Sequence, residues 1–336
     1  MSNPTDPHDL SAGPAEQGLM AMSHETDDQH LTPNEMAALE LTVDESAALG
    51  ADSLHEVGPS RSLASDAWRR FKRNKLAMFG LVIVAVLILI AIFGPLIVQD
   101  PKELGKSSLA SPTLSHPFGT DSLGRDELSR VVYGIRLSLA IGFVATFMET
   151  IIGVLVGCTA GWFRGWPDTV LMRFVDIILG VPYLVLALAL VSAIGRGVPA
   201  VIITLALTAW LQTARTVRAG FLSARDLEYV EAAKTTGVPT RRIIWRHVLP
   251  NVFQPIVVLI AVGIGGAILA EAALSFLGVG VVPPTPSLGL SIAESQNYFT
   301  QAPHLLIFPG LAIIFTVLGF LLVGDGLRDA LDVKDV

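Results

Sequence analysis

Six apolar runs, Leu76–Val98, Leu137–Ala160, Val170–Ile194, Val198–Ala214, Val252–Leu274 and Leu305–Leu327, constrain this chain more than any other feature. A helix crosses a hydrocarbon core of roughly 30 Å with about twenty residues at 1.5 Å rise. Only Val198–Ala214 falls short of that length. One such run could be a buried helix of a water-soluble protein. Six in a chain with 16% charged residues, against about 25% in soluble domains, predict an all-α polytopic membrane protein with six transmembrane helices. The one cysteine, Cys158, lies inside an apolar run, which leaves no intrachain disulfide and no thiolate metal cluster.

The net charge of −7 is unevenly spread. Residues 1–60 hold twelve of the thirty acidic side chains and no Lys or Arg, so the remainder is net basic. That tail has no aromatic residue and too little apolar surface to offset the entropy of ordering. It is expected to be a disordered acidic segment, with at most a short helix over Asn34–Leu49, and not a cleavable secretory signal. Residues 61–75 read as a basic amphipathic helix capped by Ser65 or Asp66. Its Trp68 and Phe71 suit the headgroup region, and its five bases, Arg69 to Lys75, suit an anionic leaflet. With the N-terminus inside, seventeen Lys and Arg fall on the cytoplasmic side and six outside. The positive-inside rule therefore places both termini and the loop 215–251 in the cytoplasm, and the loops 99–136 and 275–304 outside.

The loop between the fourth and fifth runs carries the densest information. It reads Glu231-Ala232-Ala233, then Gly237 and Pro239, then Arg241-Arg242-Ile243-Ile244-Trp245-Arg246-His247-Val248-Leu249-Pro250. Gly237 and Pro239 end one short helix, because Gly permits a left-handed cap and Pro cannot continue the hydrogen-bond ladder. A second helix sets Ile243, Ile244, His247 and Val248 at helical spacing, with the arginines between them. Such a helix–turn–helix with one apolar face is a suitable peg for a cytoplasmic partner. Glu231 is expected to tie its two helices together.

This pattern resembles the coupling loop of permeases in binding-protein-dependent ABC importers, where it docks into an ATPase subunit. Two further blocks are similar to the C-type permeases for dipeptides, oligopeptides and nickel. One contains His116, Gly119, Thr120, Asp121, Gly124, Arg125 and Asp126. The other runs from Leu274 to Gly289. Pro309-Gly310 and the segment from Gly324 to Asp332 match the closing region of the same group, so the resemblance covers roughly residues 63–333. Leu288 and His304 depart from it, standing where that group usually carries tryptophan on the external side. The resemblance implies a type I ABC importer fold, a second homologous permease subunit, two ABC ATPase subunits that bind the ATP and Mg, and an extracytoplasmic solute-binding protein. It also implies a bacterial cell membrane as the location. No cofactor is expected in this chain, and no nucleic acid among its partners.

Within the spans, Glu149, Asp176 and Glu271 are ionisable groups that are costly in lipid and usually face a cavity or a partner. Glu271, with Gly265 and Gly266, is the expected face of the translocation path. A salt bridge is the structural alternative for Glu271. Gly153, Gly157 and Gly161 recur at every fourth residue, which is the spacing of close helix packing. Catalytic patterns are missing. Gly105-Lys106-Ser107 lacks the upstream glycine of a phosphate loop, and the seven histidines have no ligand spacing. The expected function is therefore transport of di- or oligopeptides by alternating access, driven by separate ATPases. Nickel import remains open because nickel permeases share the blocks. An ion-coupled secondary transporter would show inverted repeats and broken spans, and no such symmetry is visible.

Overall fold

The computed structural model describes residues 63–332. The acidic tail, the short helix expected over Asn34–Leu49, Arg61 and Lys334 lie outside those residues. Eleven helices account for most of the described chain, and no strand occurs among the described residues beyond an isolated bridge from Thr120 to Asp126.

Helix α1, Leu63–Arg73, is the basic amphipathic segment. It begins before Ser65 and Asp66, so neither caps it; Asp66 instead pairs with Arg69 at 3.5 Å. Trp68 is exposed and stacks on Phe71, whose own side chain is buried in a small cluster with Ala77 and Ala330. Helix α2, Lys75–Phe93, follows at once because Asn74 accepts hydrogen bonds from the N–H groups of Leu76 and Ala77. A single 3-10 turn, Gly94–Leu96, ends it.

Helix α3, Glu127–Trp162, is far longer than the apolar run it contains. Asp126 caps it by accepting from the Ser129 N–H at 2.8 Å. Ten residues expected in a loop, 127–136, are therefore helical and stand beyond the apolar part. The run Val170–Ile194 is not one helix. It divides into α4, Trp166–Leu179, and α5, Tyr183–Ile194, which meet at 94°. The break falls at Gly180-Val181-Pro182, where Pro182 has no N–H to donate and disfavours helical geometry in the residue before it. Helix α6, Val198–Ala224, extends ten residues past the apolar run. Then come α7, Glu228–Thr235, and α8, Thr240–Ile243, which continues as a π turn over Ile244–Val248. Helix α9 spans Phe253–Phe276, α10 Leu288–Ser295 inside a segment expected to be loop, and α11 His304–Leu331. Five helices, α2, α3, α6, α9 and α11, are long and apolar enough to cross a membrane, and the bent pair α4–α5 supplies the sixth crossing if taken as one span.

Small residues set the packing. On α3, a Cβ at Gly153 would stand 2.6 Å from Thr213 Cβ of α6, one at Gly157 2.6 Å from the Ala214 carbonyl oxygen, and one at Gly161 2.5 Å from Phe221 Cβ. The fourfold-spaced glycines are thus the contact surface on which α3 and α6 lie together. Gly80 of α2 meets Gly319 and Leu322 of α11 in the same way. Phe79, Val86, Leu89 and Ile92 of α2, and Ile307, Ile314 and Leu321 of α11, remain exposed, as side chains that meet lipid do.

Candidate docking loop and membrane groove

The bundle has two unlike ends. At one, α1, the last turn of α11 and the start of α9 come together with the segment joining α6 to α9. This loop end is pinned by charge. Arg225 donates to the Trp162 carbonyl at 2.7 Å, and Arg164 pairs with Asp226 at 2.5 Å. The hydrogen bond from Arg164 holds the Asp226 carboxyl below its ordinary range. A carboxyl lowered on folding contributes fully above the usual aspartate value and loses that contribution only as pH falls below it, so this pin is insensitive to pH near neutrality. Two more pairs, Arg215 with Asp176 and Arg218 with Asp168, tie α6 to α4. Asp176 is therefore a pairing residue on the surface of the bundle.

The candidate docking loop is built around a helix stop. Gly237 has φ of 75°, which a residue bearing a Cβ adopts at a cost, and the Gly237 and Val238 N–H groups donate to the carbonyls of Lys234 and Ala233. Val230, Ala233, Ile243, Ile244 and Val248 are buried, packed against Val217, Phe221 and Ile256 of the spans. The apolar face of the second helix therefore faces the bundle and does not form the outer surface of the peg. The amphipathic pattern identifies such a face but not what covers it. His247 and Leu249 are half-buried at its edge. Glu231 and Ala232 are exposed, and the Glu231 carboxylate makes no ion pair or hydrogen bond among the described residues. What ties the loop together is Asn251, whose amide donates to Tyr229 Oη at 2.9 Å and to the His247 carbonyl at 3.0 Å. Lys234 adds a bond to the Arg225 carbonyl and lies over the Trp162 ring. Facing outward, Pro239, Arg241, Arg242, Trp245 and Arg246 line an open depression of about 530 Å³. Pro250 is exposed beyond it. The loop end thus presents a basic, aromatic-edged surface seated on an apolar base.

The block at the opposite end is internal. Thr120, Asp121, Arg125 and Asp126 are all buried. Asp126, besides capping α3, accepts from Ser129 Oγ and contacts His116 Nδ1 at 3.0 Å. Asp121 accepts from Arg125 Nε and from the N–H groups of Leu123 and Arg125. Arg125 and Arg130 both reach Glu294 of α10, at 2.9 and 2.7 Å, and Arg130 also bonds Ser291. A Cβ at Gly119 (φ 79°) would stand 2.5 Å from the Ala110 carbonyl oxygen and 2.6 Å from His304 Nε2; Gly124 packs on Gly105. These residues clamp the chain before α3 onto α10. Leu288, fully buried against Gly134, and His304, whose Nε2 is buried, belong to this interior.

Of the three residues expected to face a path, only Gly266 lines a groove. Glu271 is fully buried and accepts hydrogen bonds from Ser138, Ser275 and Ser287 at 2.8, 2.8 and 2.7 Å. It joins α3, α9 and the segment before α10; its partners are hydroxyls and not a base. Gly265 packs on Val317 and Phe320 of α11. Gly266 opens into a groove of about 280 Å³ between α3, α5, α6 and α9, whose polar lining is Glu149, Tyr183, Gln212 and Thr213. Glu149 is a groove residue that hydropathy alone marked only as an ionisable group in a span.

The family of binding-protein-dependent transport system inner membrane components matches residues 153–334. The N-terminal TM domain of oligopeptide transport permease C matches residues 62–112. The chain is 41% identical over 271 residues to the dipeptide transport system permease protein DppC of Alkalihalophilus pseudofirmus, spanning 80% of this chain and 89% of that one. It is 42% identical over 291 residues to the glutathione transport system permease protein GsiD of Escherichia coli, spanning 86% and 96%. An inward facing structure of the MetNI methionine ABC transporter shares the fold with a TM-score of 0.50 at 20% identity, over 60% of this chain and 96% of that one.

Proposed function

The chain belongs to the family of binding-protein-dependent transport system inner membrane components, and from that premise we propose that it carries di- or oligopeptides into the cell. As a multi-pass permease subunit of an ABC importer it is not itself the catalyst. In this reading a second, similar permease chain completes the path, and two ATPase subunits hydrolyse ATP against the outward surface of the 228–250 loop. A solute-binding protein delivers peptide at the clamped end. The loop end lies in the cytoplasm, following the charge asymmetry.

The observation that carries the substrate assignment is the extent of the likeness. Two relatives named for peptide cargo, a dipeptide and glutathione, match over four fifths or more of this chain at above 40% identity. Coupling is supported by the architecture of the loop. Its base is fixed to α6 and α9, so a push on the outward arginines moves the spans with it. Closure of the ATPases would then rock those helices and expose the path alternately to the two sides. Deleting the gene tests the assignment. Loss of short-peptide uptake, read as resistance to toxic peptides, is expected; intact peptide uptake with lost nickel uptake would overturn it.

A further inference from the structure

We infer that the groove between α3, α5, α6 and α9 is a subsite for the positively charged amino terminus of a peptide in transit, with Glu149 as its anion. The inference rests on the transport reading above and adds a residue and a recognised group to it.

Glu149 stands about midway along the apolar part of α3, roughly 17 Å from either end of residues 137–160 at 1.5 Å per residue. A carboxylate at that depth is expensive in lipid, and a chain that keeps one there pairs it or uses it. The other two acidic residues marked in the spans are accounted for, Asp176 by Arg215 and Glu271 by three serines. Glu149 has neither kind of partner among the described residues, although only 5% of its surface is exposed. Its Oε1 packs against α9 at Gly263, where an added Cβ would stand only 2.9 Å away. Beside it, a Cβ on Gly266 would meet nothing within 4 Å. The glycine face of α9 thus admits the carboxylate at Gly263 and leaves open space next to it at Gly266.

The rest of the lining fits an ammonium carried on a short backbone. No Lys, Arg or His lines the groove, so nothing from the described residues competes for Glu149. Tyr183, Gln212 and Thr213 offer hydroxyl and amide groups to a peptide, and the remaining walls are aliphatic. About 280 Å³ accommodates one end of a peptide and not a whole oligopeptide. A single carboxylate is too sparse a ligand set for a metal ion. A lone charge in an otherwise neutral groove also holds its ligand loosely enough to pass it on, as a conduit must.

The test uses the complete transporter in proteoliposomes, with saturating loaded binding protein and labelled dialanine or N-acetyl-dialanine as probes. Uptake of dialanine through the wild-type complex establishes peptide transport, so its absence refutes the transport reading before the subsite is considered. Given that uptake, Glu149→Gln should slow dialanine turnover about ten-fold, the worth of one charge-assisted contact. It should leave N-acetyl-dialanine at its wild-type rate, and Glu149→Asp should recover much of the loss. Binding-protein-stimulated ATP hydrolysis should persist, because no residue of the docking loop lines the groove. Equal slowing of both probes, or unchanged dialanine turnover, overturns the inference. So does a Glu149→Gln complex that loses its second permease chain on purification, since the carboxylate would then pair with that subunit.

Discussion

Glu271 shows what a single residue discloses from sequence and what it withholds. An acidic side chain in an apolar run announces that something must compensate it. Its partners lie at Ser138 on another helix and at Ser287 beyond the end of its own, contacts that no local pattern encodes. Removing the carboxylate strands three buried hydroxyls, so Glu271→Ala should cost about 3 kcal/mol or more, read as lowered thermal stability of the purified complex. Glu271→Gln keeps an acceptor and should retain most of the stability with near-normal uptake. A stable Glu271→Gln complex that fails to transport would return this residue to the path. Gly237 is the opposite case, legible because its role is local. Space around it is open, so a substitution meets backbone strain without a clash. Gly237→Val should cost about 1–2 kcal/mol and weaken retention of copurified ATPase. Gly237→Asn, which tolerates the same φ, should lose much less.

Among the elements, five of the six apolar runs lie in helices long and apolar enough to cross a membrane, since length and hydropathy are enough to find such helices, and the third forms the bent pair α4–α5. The departures occur where the physical cause is not hydropathy. Helix α3 continues ten residues beyond its apolar part because a cap at Asp126 and a buried charge clamp support it there. The third run breaks because Gly180 and Pro182 interrupt it, a signal present in the letters but outweighed by the high hydropathy of the residues around it. Packing between elements is testable at the α3–α6 contact. Gly157→Val would drive a side chain into the Ala214 carbonyl and Val217, and overpacking of this kind costs about 1–3 kcal/mol. Its folded fraction on size-exclusion chromatography should drop. Gly266→Ala, placed in the open groove, should leave that fraction unchanged.

At the scale of the whole molecule, the account joins a basic docking surface, an apolar bundle and a clamped opposite end into one importer subunit. The orientation follows from charge and is open to direct labelling. Ser111 and Thr240 are exposed at opposite ends, and Cys158 is buried. In a Cys158→Ala background, Ser111→Cys should react with an impermeant thiol reagent in intact cells and Thr240→Cys should not. The central claim, that ATP hydrolysed by partner chains reaches the path through the outward face of the 228–250 loop, has a sharper test. Arg242 and Trp245 lie on that face and outside the buried base, so the pair Arg242→Glu, Trp245→Ala should leave insertion and thermal stability intact. ATP-driven uptake of labelled dipeptide into proteoliposomes by this variant complex should fall at least about ten-fold, the effect of losing a charged and an aromatic contact at one interface. Wild-type uptake by a correctly inserted double variant would contradict the account.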